Sequence, residues 1–145
     1  MLNIDNLTNF SINMQAIEDI VKEHTSRDID LIICYNFTIQ KYNKAYRGKD
    51  EATDVLSFPI ENDMIIHHNL MPLGSIVISA DFVHKKAVEL NHSADDEFTL
   101  LFIHGLLHLL GYDHEEDNGE MREKEEAIIK KMNLPKSLIV RIEGS

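Results

Sequence analysis

The residues that could do chemistry stand in one run, His104-Gly105-Leu106-Leu107-His108-Leu109-Leu110-Gly111-Tyr112-Asp113-His114. On an α-helix, side chains at i and i+4 share a face one turn apart. His104 and His108 can therefore aim two imidazoles at one point. His114, at i+10, would lie further along the cylinder and partly round it, so it reaches that point only if the helix ends first. Gly111 offers the exit, because glycine accepts the left-handed backbone that ends a helix. Three neutral imidazoles converging in this way make an open metal site with a position free for water. The bland alternative is two core histidines on an apolar helix and a chance loop histidine. It leaves polar rings in an oily environment without partners, which is costly.

The spacing matches the metzincin protease pattern H-E-x-x-H-x-x-G-x-x-H in its histidines and its glycine. Gly105 stands where that pattern has the glutamate that serves as general base, so the metal scaffold is kept and the protease's base is absent. Asp113 and Glu115 flank His114 and are the nearest candidate bases in sequence. For Asp113 the preferred reading is a bond within its own turn or support of a histidine ring.

The central helix is expected from about Ala94 to Leu110, opened by Ser93 and by Asp95, Asp96 and Glu97 at its positive end. Its apolar residues run almost all the way round, which marks a helix buried on all sides and a rigid platform for ligand geometry. Gly105 costs helix stability and so points to a close approach by another backbone or by substrate. Leu2 and Ile4 suggest a first strand, residues 29–35 a buried strand, residues 53–58 another stopped by Pro59, and residues 74–79 a further one. Helices are expected from Ser11 to about His24 with Met14 on the inner side, from Asn36 or Thr38 to Gly48, from Ser79 to about Leu90, and from about Asn118 to Met132. Residues 61–72 read as irregular and residues 137–143 as an extra strand or ordered tail. His24 reads as a boundary residue, His67 and His68 as surface residues, and Met121 as core rather than a methionine turn beneath a metal.

The chain of 145 residues is long enough for one domain with a real core. It shows no membrane-length apolar run and no leader with a cleavage site. The single cysteine, Cys34, forbids an internal disulfide and suits a reducing compartment, with the cytoplasm as the default; it reads as a small buried hydrophobe. A formal net charge of −11 argues against nucleic-acid binding through bulk charge. A local basic groove is compatible with it: Lys41, Lys44, Arg47 and Lys49 share a short stretch, while the acidic run past His114 reads as a solvated face. Arg47, beside Gly48 at a helix end, is either a cation meeting the helix dipole or a guanidinium placed to hold phosphate.

Two separate blocks carry a family resemblance. The run from His104 to His114 resembles the signature of the YbeY family of rRNA-maturation endoribonucleases. Asn43, the stretch Tyr46-Arg47-Gly48-Lys49-Asp50 and the stretch Thr53-Asp54-Val55-Leu56-Ser57-Phe58-Pro59 match it as well. The order of elements agrees from about Ile29 to Met132. One departure is Ser75, where the family has Asp. The resemblance implies a zincin-like α+β fold: a small mixed β-sheet packed with about five helices, in one hydrolase domain over residues 1–145, with the metal site on the central buried helix. It implies one zinc ion on His104, His108 and His114, and Arg47 as the functional arginine across the cleft. It also implies single-stranded RNA as substrate, and the small ribosomal subunit with its assembly factors as partners, in ribosomal RNA maturation and ribosome quality control. Two chemistries fit the residues, activation of water by the metal or metal-assisted attack of a ribose 2′-hydroxyl. Two other functions remain open: a metzincin-like metalloprotease, and a non-catalytic ribosome-assembly factor whose zinc is structural.

Overall fold

The computed structural model of the chain describes residues 1–60 and 71–136. Nine elements follow in order: β1 (Leu2–Asn6), α1 (Met14–His24), β2 (Ile29–Cys34), α2 (Asn36–Arg47), β3 (Val55–Pro59), β4 (Gly74–Ser79), α3 (Ala80–Leu90), α4 (Ala94–Leu109) and α5 (Glu120–Met132). The four strands form one mixed sheet in the order β1-β2-β4-β3, with β1, β2 and β4 parallel and β3 antiparallel to β4 along its edge. This is the α+β arrangement expected, a small mixed sheet with five helices among the described residues. The segment 61–70, with His67 and His68, and the tail from 137 onward lie outside the described residues.

Alternation along the strands gives the sheet two apolar faces. Ile29, Leu31 and Ile33 of β2 and Ile76 and Ile78 of β4 join Phe98, Phe102, Ile103, Leu106 and Leu107 of α4 in the main core. On the other face Cys34, Leu56, Val77 and Ile39 of α2 make a smaller cluster with Tyr42 and Phe58 packed on it. Cys34 is the buried hydrophobe that its neighbours foretold, and burial pushes its thiol up to about 11. Ser75 lies on the side of β4 that carries Val77, in register with Asp30 and Phe58. The departure at Ser75 therefore sits on the sheet face turned away from α4.

Helix α4 is buried from Glu97 through Leu107, with Leu109 buried as well. Ser93 caps it, its hydroxyl accepting from Asp96 N–H at 3.0 Å. Glu97 is fully buried, with His92 Nε2 at 2.7 Å from its carboxylate. At the other end the Gly111 N–H donates to the His108 carbonyl (3.1 Å) and the Tyr112 N–H to that of Leu107 (3.0 Å). Gly111 has φ +100°, so the chain reverses there.

Gly105 admits the sheet rather than a ligand. A Cβ built on it would stand 3.1 Å from Ile76 Cγ2 and Ser57 Oγ, and 3.3 Å from Val55 Cγ2. In that space the buried Ser57 hydroxyl donates to the Gly105 carbonyl at 3.0 Å and ties the edge strand to α4.

Three helix starts differ from expectation. Asn13, not Ser11, caps α1, accepting from Ala16 N–H at 3.2 Å. Phe10, packed on Phe98 and on the His84 ring, holds the chain before it, and Met14 faces solvent. Helix α2 starts at Asn36 without a side-chain cap. Asn36 is engaged elsewhere, its N–H donating to Asp81 (2.8 Å) and its Oδ1 accepting from the Ser79 hydroxyl (2.7 Å). Ser79 caps α3 as expected, and α5 begins two residues late, after Gly119 at φ +103°.

Substituting Gly105→Ala should gain roughly 1 kcal/mol of helix propensity but force side chains apart in a filled space, at about 1–3 kcal/mol. Urea unfolding is expected to show a net loss of stability, because Ile76 is fully buried and the Ser57 hydroxyl is committed to the Gly105 carbonyl. A gain in stability would mean that β3 is free to move off α4.

Candidate metal centre

His104 and His108 leave α4 one turn apart, and the reversal at Gly111 returns His114 to them from the following loop. One ring nitrogen from each histidine lies within 4.8 Å of the others, a group that could hold a metal ion. The ring centroids are 4.7–5.7 Å apart and the planes meet at 54–80°, so the rings converge at steep angles.

The hydrogen bonds fix which nitrogens face inward. His104 Nδ1 lies 3.0 Å from the Glu125 carboxylate and His108 Nδ1 lies 3.0 Å from the Tyr112 carbonyl. Both partners only accept, so both Nδ1 atoms carry hydrogen, and in a neutral imidazole each Nε2 is then a bare lone pair. Those two Nε2 atoms face each other at 3.2 Å. His114 Nδ1 is buried and has no hydrogen-bond partner among the described residues. Two facing lone pairs beside an unpaired ring nitrogen repel one another unless a cation lies among them. The donor set therefore fits a divalent metal with imidazole ligands. Burial, then the His104 and His114 charges, pushes the His108 pKa below its ordinary 6.5, and a neutral ring is the form a metal takes.

Glu125 was not singled out in the sequence. It lies in the acidic stretch read as a solvated face, yet it is fully buried against His104. The signal was its position: Met121, Glu125, Ile128 and Ile129 share the buried side of α5, so one carboxylate sits within an apolar stripe. A metal-ligating histidine usually gives its other N–H to such an acceptor, which fixes its tautomer and raises its basicity. Met121 is core, as expected.

The histidines open into a cavity of about 510 Å³, also lined by Arg47, Asp54, Ser57, Asp113 and Glu115. Arg47, the last residue of α2, donates to the Ser57 carbonyl on the outer edge of β3 at 3.2 Å. Arg47 and the three histidines thus line one cleft. Asp113 accepts from the Glu115 N–H at 3.0 Å and so serves its own turn. Asp54, unremarked apart from the family motif, accepts from the Val55 N–H at 2.7 Å at the start of β3. His24 bonds its own helix at Ile20, and Cys34 does not line the cleft.

A sequence model of the family described as Endoribonuclease YbeY matches residues 3–133. The chain belongs to the YbeY family. Among similar proteins, the Endoribonuclease YbeY of Nautilia profundicola is 56% identical over 143 residues, covering 99% of both chains. That of Aliarcobacter butzleri is 55% identical over 141 residues, covering 97% of this chain and 99% of its own. A solution structure of a Thermotoga maritima protein superimposes with a TM-score of 0.58 at 26% identity, covering 90% of this chain and 88% of that one. These YbeY relatives match the chain along nearly its whole length.

Glu125→Gln keeps the shape of the side chain but removes the charge behind His104. Chelator competition is expected to show metal affinity lowered by about 10- to 100-fold with the fold intact. Unchanged affinity would reduce Glu125 to a packing residue.

Proposed function

We propose that the protein is a single-strand-specific, zinc-dependent endoribonuclease of small-subunit ribosomal RNA maturation and ribosome quality control, acting in the cytoplasm as one hydrolase domain over residues 1–145. The observation that carries this reading is the pair of inward lone pairs on His104 and His108, with His114 beside them and Arg47 in the same cleft. The family membership and the relatives' name, Endoribonuclease YbeY, support RNA as the substrate.

His104, His108 and His114 would hold a divalent ion, which would supply Lewis-acid polarisation and lower the pKa of a water to about 7. The chain's own residues do the rest. Glu125 and the Tyr112 carbonyl keep both Nδ1 atoms protonated and the rings aimed. One Arg47 N–H is taken by the Ser57 carbonyl, which anchors the guanidinium while its other donors stay available for non-bridging phosphate oxygens. Those oxygens gain charge in the transition state, where a positioned donor contributes most.

Charge in the cleft follows the same logic. Asp54, Asp113 and Glu115 place three carboxylates there against one guanidinium, a set that repels a phosphodiester. A divalent ion held by the histidines would balance it, so RNA binding should depend on metal.

Other functions fit less well. A protease's glutamate at position 105 would have its Cβ 3.1 Å from Ser57 Oγ and Ile76 Cγ2, a space β3 and β4 already fill. A structural zinc would want a fourth protein ligand, and among the described residues the group comprises the three histidines alone.

The test is cleavage of a labelled single-stranded ribosomal RNA fragment by metal-loaded protein. The expected result is that wild type cuts, His114→Ala loses both metal and activity, and Arg47→Ala keeps metal while losing about 10²–10³-fold in rate. Equal cutting by all three preparations would expose a contaminant. No cutting by metal-bound wild type would put the assembly factor first.

A further inference from the structure

Around the edge of the sheet from the histidines lies a group of aromatic rings that the core does not use up. Along β3, Val55 packs with the α4 core and Ser57 bonds α4, while Leu56 and Phe58 turn to the α2 side. Phe58 meets Tyr46 at 5.4 Å between ring centroids and Tyr42 at 6.4 Å, and the Tyr42 and Tyr46 rings stack at 6.3 Å with 21° between planes. Tyr42 and Phe58 are half-buried, but Tyr46 is 69% exposed. Phe58 and Tyr42 thus hold in place a large ring whose face stays open to solvent.

Its position is informative. Tyr46 precedes Arg47, and Phe58 lies between Ser57 and Pro59; Arg47, Ser57 and Pro59 all line the cleft. Arg47 reaches to the outer edge of β3 to bond the Ser57 carbonyl, so a strand whose phosphate lies in the cleft beside Arg47 passes this edge as it leaves. Lys44 and Lys49, both exposed, flank Tyr46 in sequence, Lys44 lying 3.8 Å from Asp50. Exposed aromatic rings beside cations are the means by which proteins hold single-stranded nucleic acid, since every base has a stacking face.

We propose that Tyr46, backed by Phe58 and Tyr42, is a stacking platform for a nucleobase flanking the scissile phosphate of a single-stranded RNA. This rests on the nuclease reading above and names where its substrate runs. Tyr46 acts as a positioning residue: by stacking one base it sets the register of the phosphate against Arg47 and the histidines. A duplex, whose bases are already stacked, cannot use the platform, which gives a physical origin for single-strand preference.

The experiment compares wild type, Tyr46→Ala, Tyr46→Leu and Tyr46→Trp, each checked for metal content and thermal unfolding. The substrates are a single-stranded RNA and copies with an abasic site on either side of the cut. Tyr46→Ala is expected to lower kcat/KM by about tenfold on intact RNA, in the range of one lost stack. Tyr46→Trp should restore the rate and Tyr46→Leu should not. On the copy that is abasic at the stacked position, wild type should fall to the Tyr46→Ala rate and the variant should lose nothing more. Wild-type rate for Tyr46→Ala, the same loss on every substrate, or full rescue by leucine would overturn the platform while leaving the nuclease reading intact. If wild type cuts nothing, quenching of 2-aminopurine placed at each flanking position separates the two ideas. Quenching that Tyr46→Ala abolishes supports the platform without the nuclease, and no RNA binding by any form removes both.

Discussion

Two nitrogen lone pairs facing each other at 3.2 Å are the constraint on which the rest of this structure depends. Neutral rings left free would turn or share a proton to escape that contact. Here they are prevented, because Glu125 and the Tyr112 carbonyl each take the opposite N–H. The arrangement is favourable with a cation between the rings and unfavourable without one. The fold therefore spends packing energy to hold a geometry that could take a metal ion, and Gly111 reverses the chain to bring His114 beside it as a third donor.

Rigidity is supplied from three sides. The main core surrounds α4 and fixes the axis from which His104 and His108 project. The edge strand β3 presses into the gap at Gly105 and is locked there by Ser57. The same residue uses its carbonyl to hold Arg47. Ser57 thus links the helix that bears the histidines to the cation expected to face the substrate, through one residue and two hydrogen bonds. Helix α5 closes the third side, bringing Glu125 up behind His104.

Much of this was readable in the chain. The i, i+4 histidines, the apolar circumference of α4, the glycine exit and the arginine at the end of α2 are local patterns, and local patterns survive folding. What escaped the sequence depends on distance. Glu125 is separated from His104 by 21 residues, and its neighbours Glu123 and Glu126 hid it in a run of like charge. The role of Gly105 as a contact for β3 needed the sheet, since glycine alone is equally compatible with a nearby substrate. Ser11 lost the α1 cap to Asn13 because Phe10 is drawn into the core, a tertiary effect that outweighs cap propensity. Tyr46 lies on the same helix as the buried Ile39, and its exposure is set by the packing of α2 on the sheet, which local pattern does not show.

If three imidazoles and no fourth protein group hold the ion, X-ray absorption on zinc-loaded protein will show it. One zinc per chain is expected, with three nitrogen ligands at about 2.0–2.1 Å and one exchangeable oxygen from solvent, the oxygen being replaced when a small anion is added. A closed shell of four protein ligands that no anion disturbs, or zinc that binds without stoichiometry and leaves the histidines free, would contradict it.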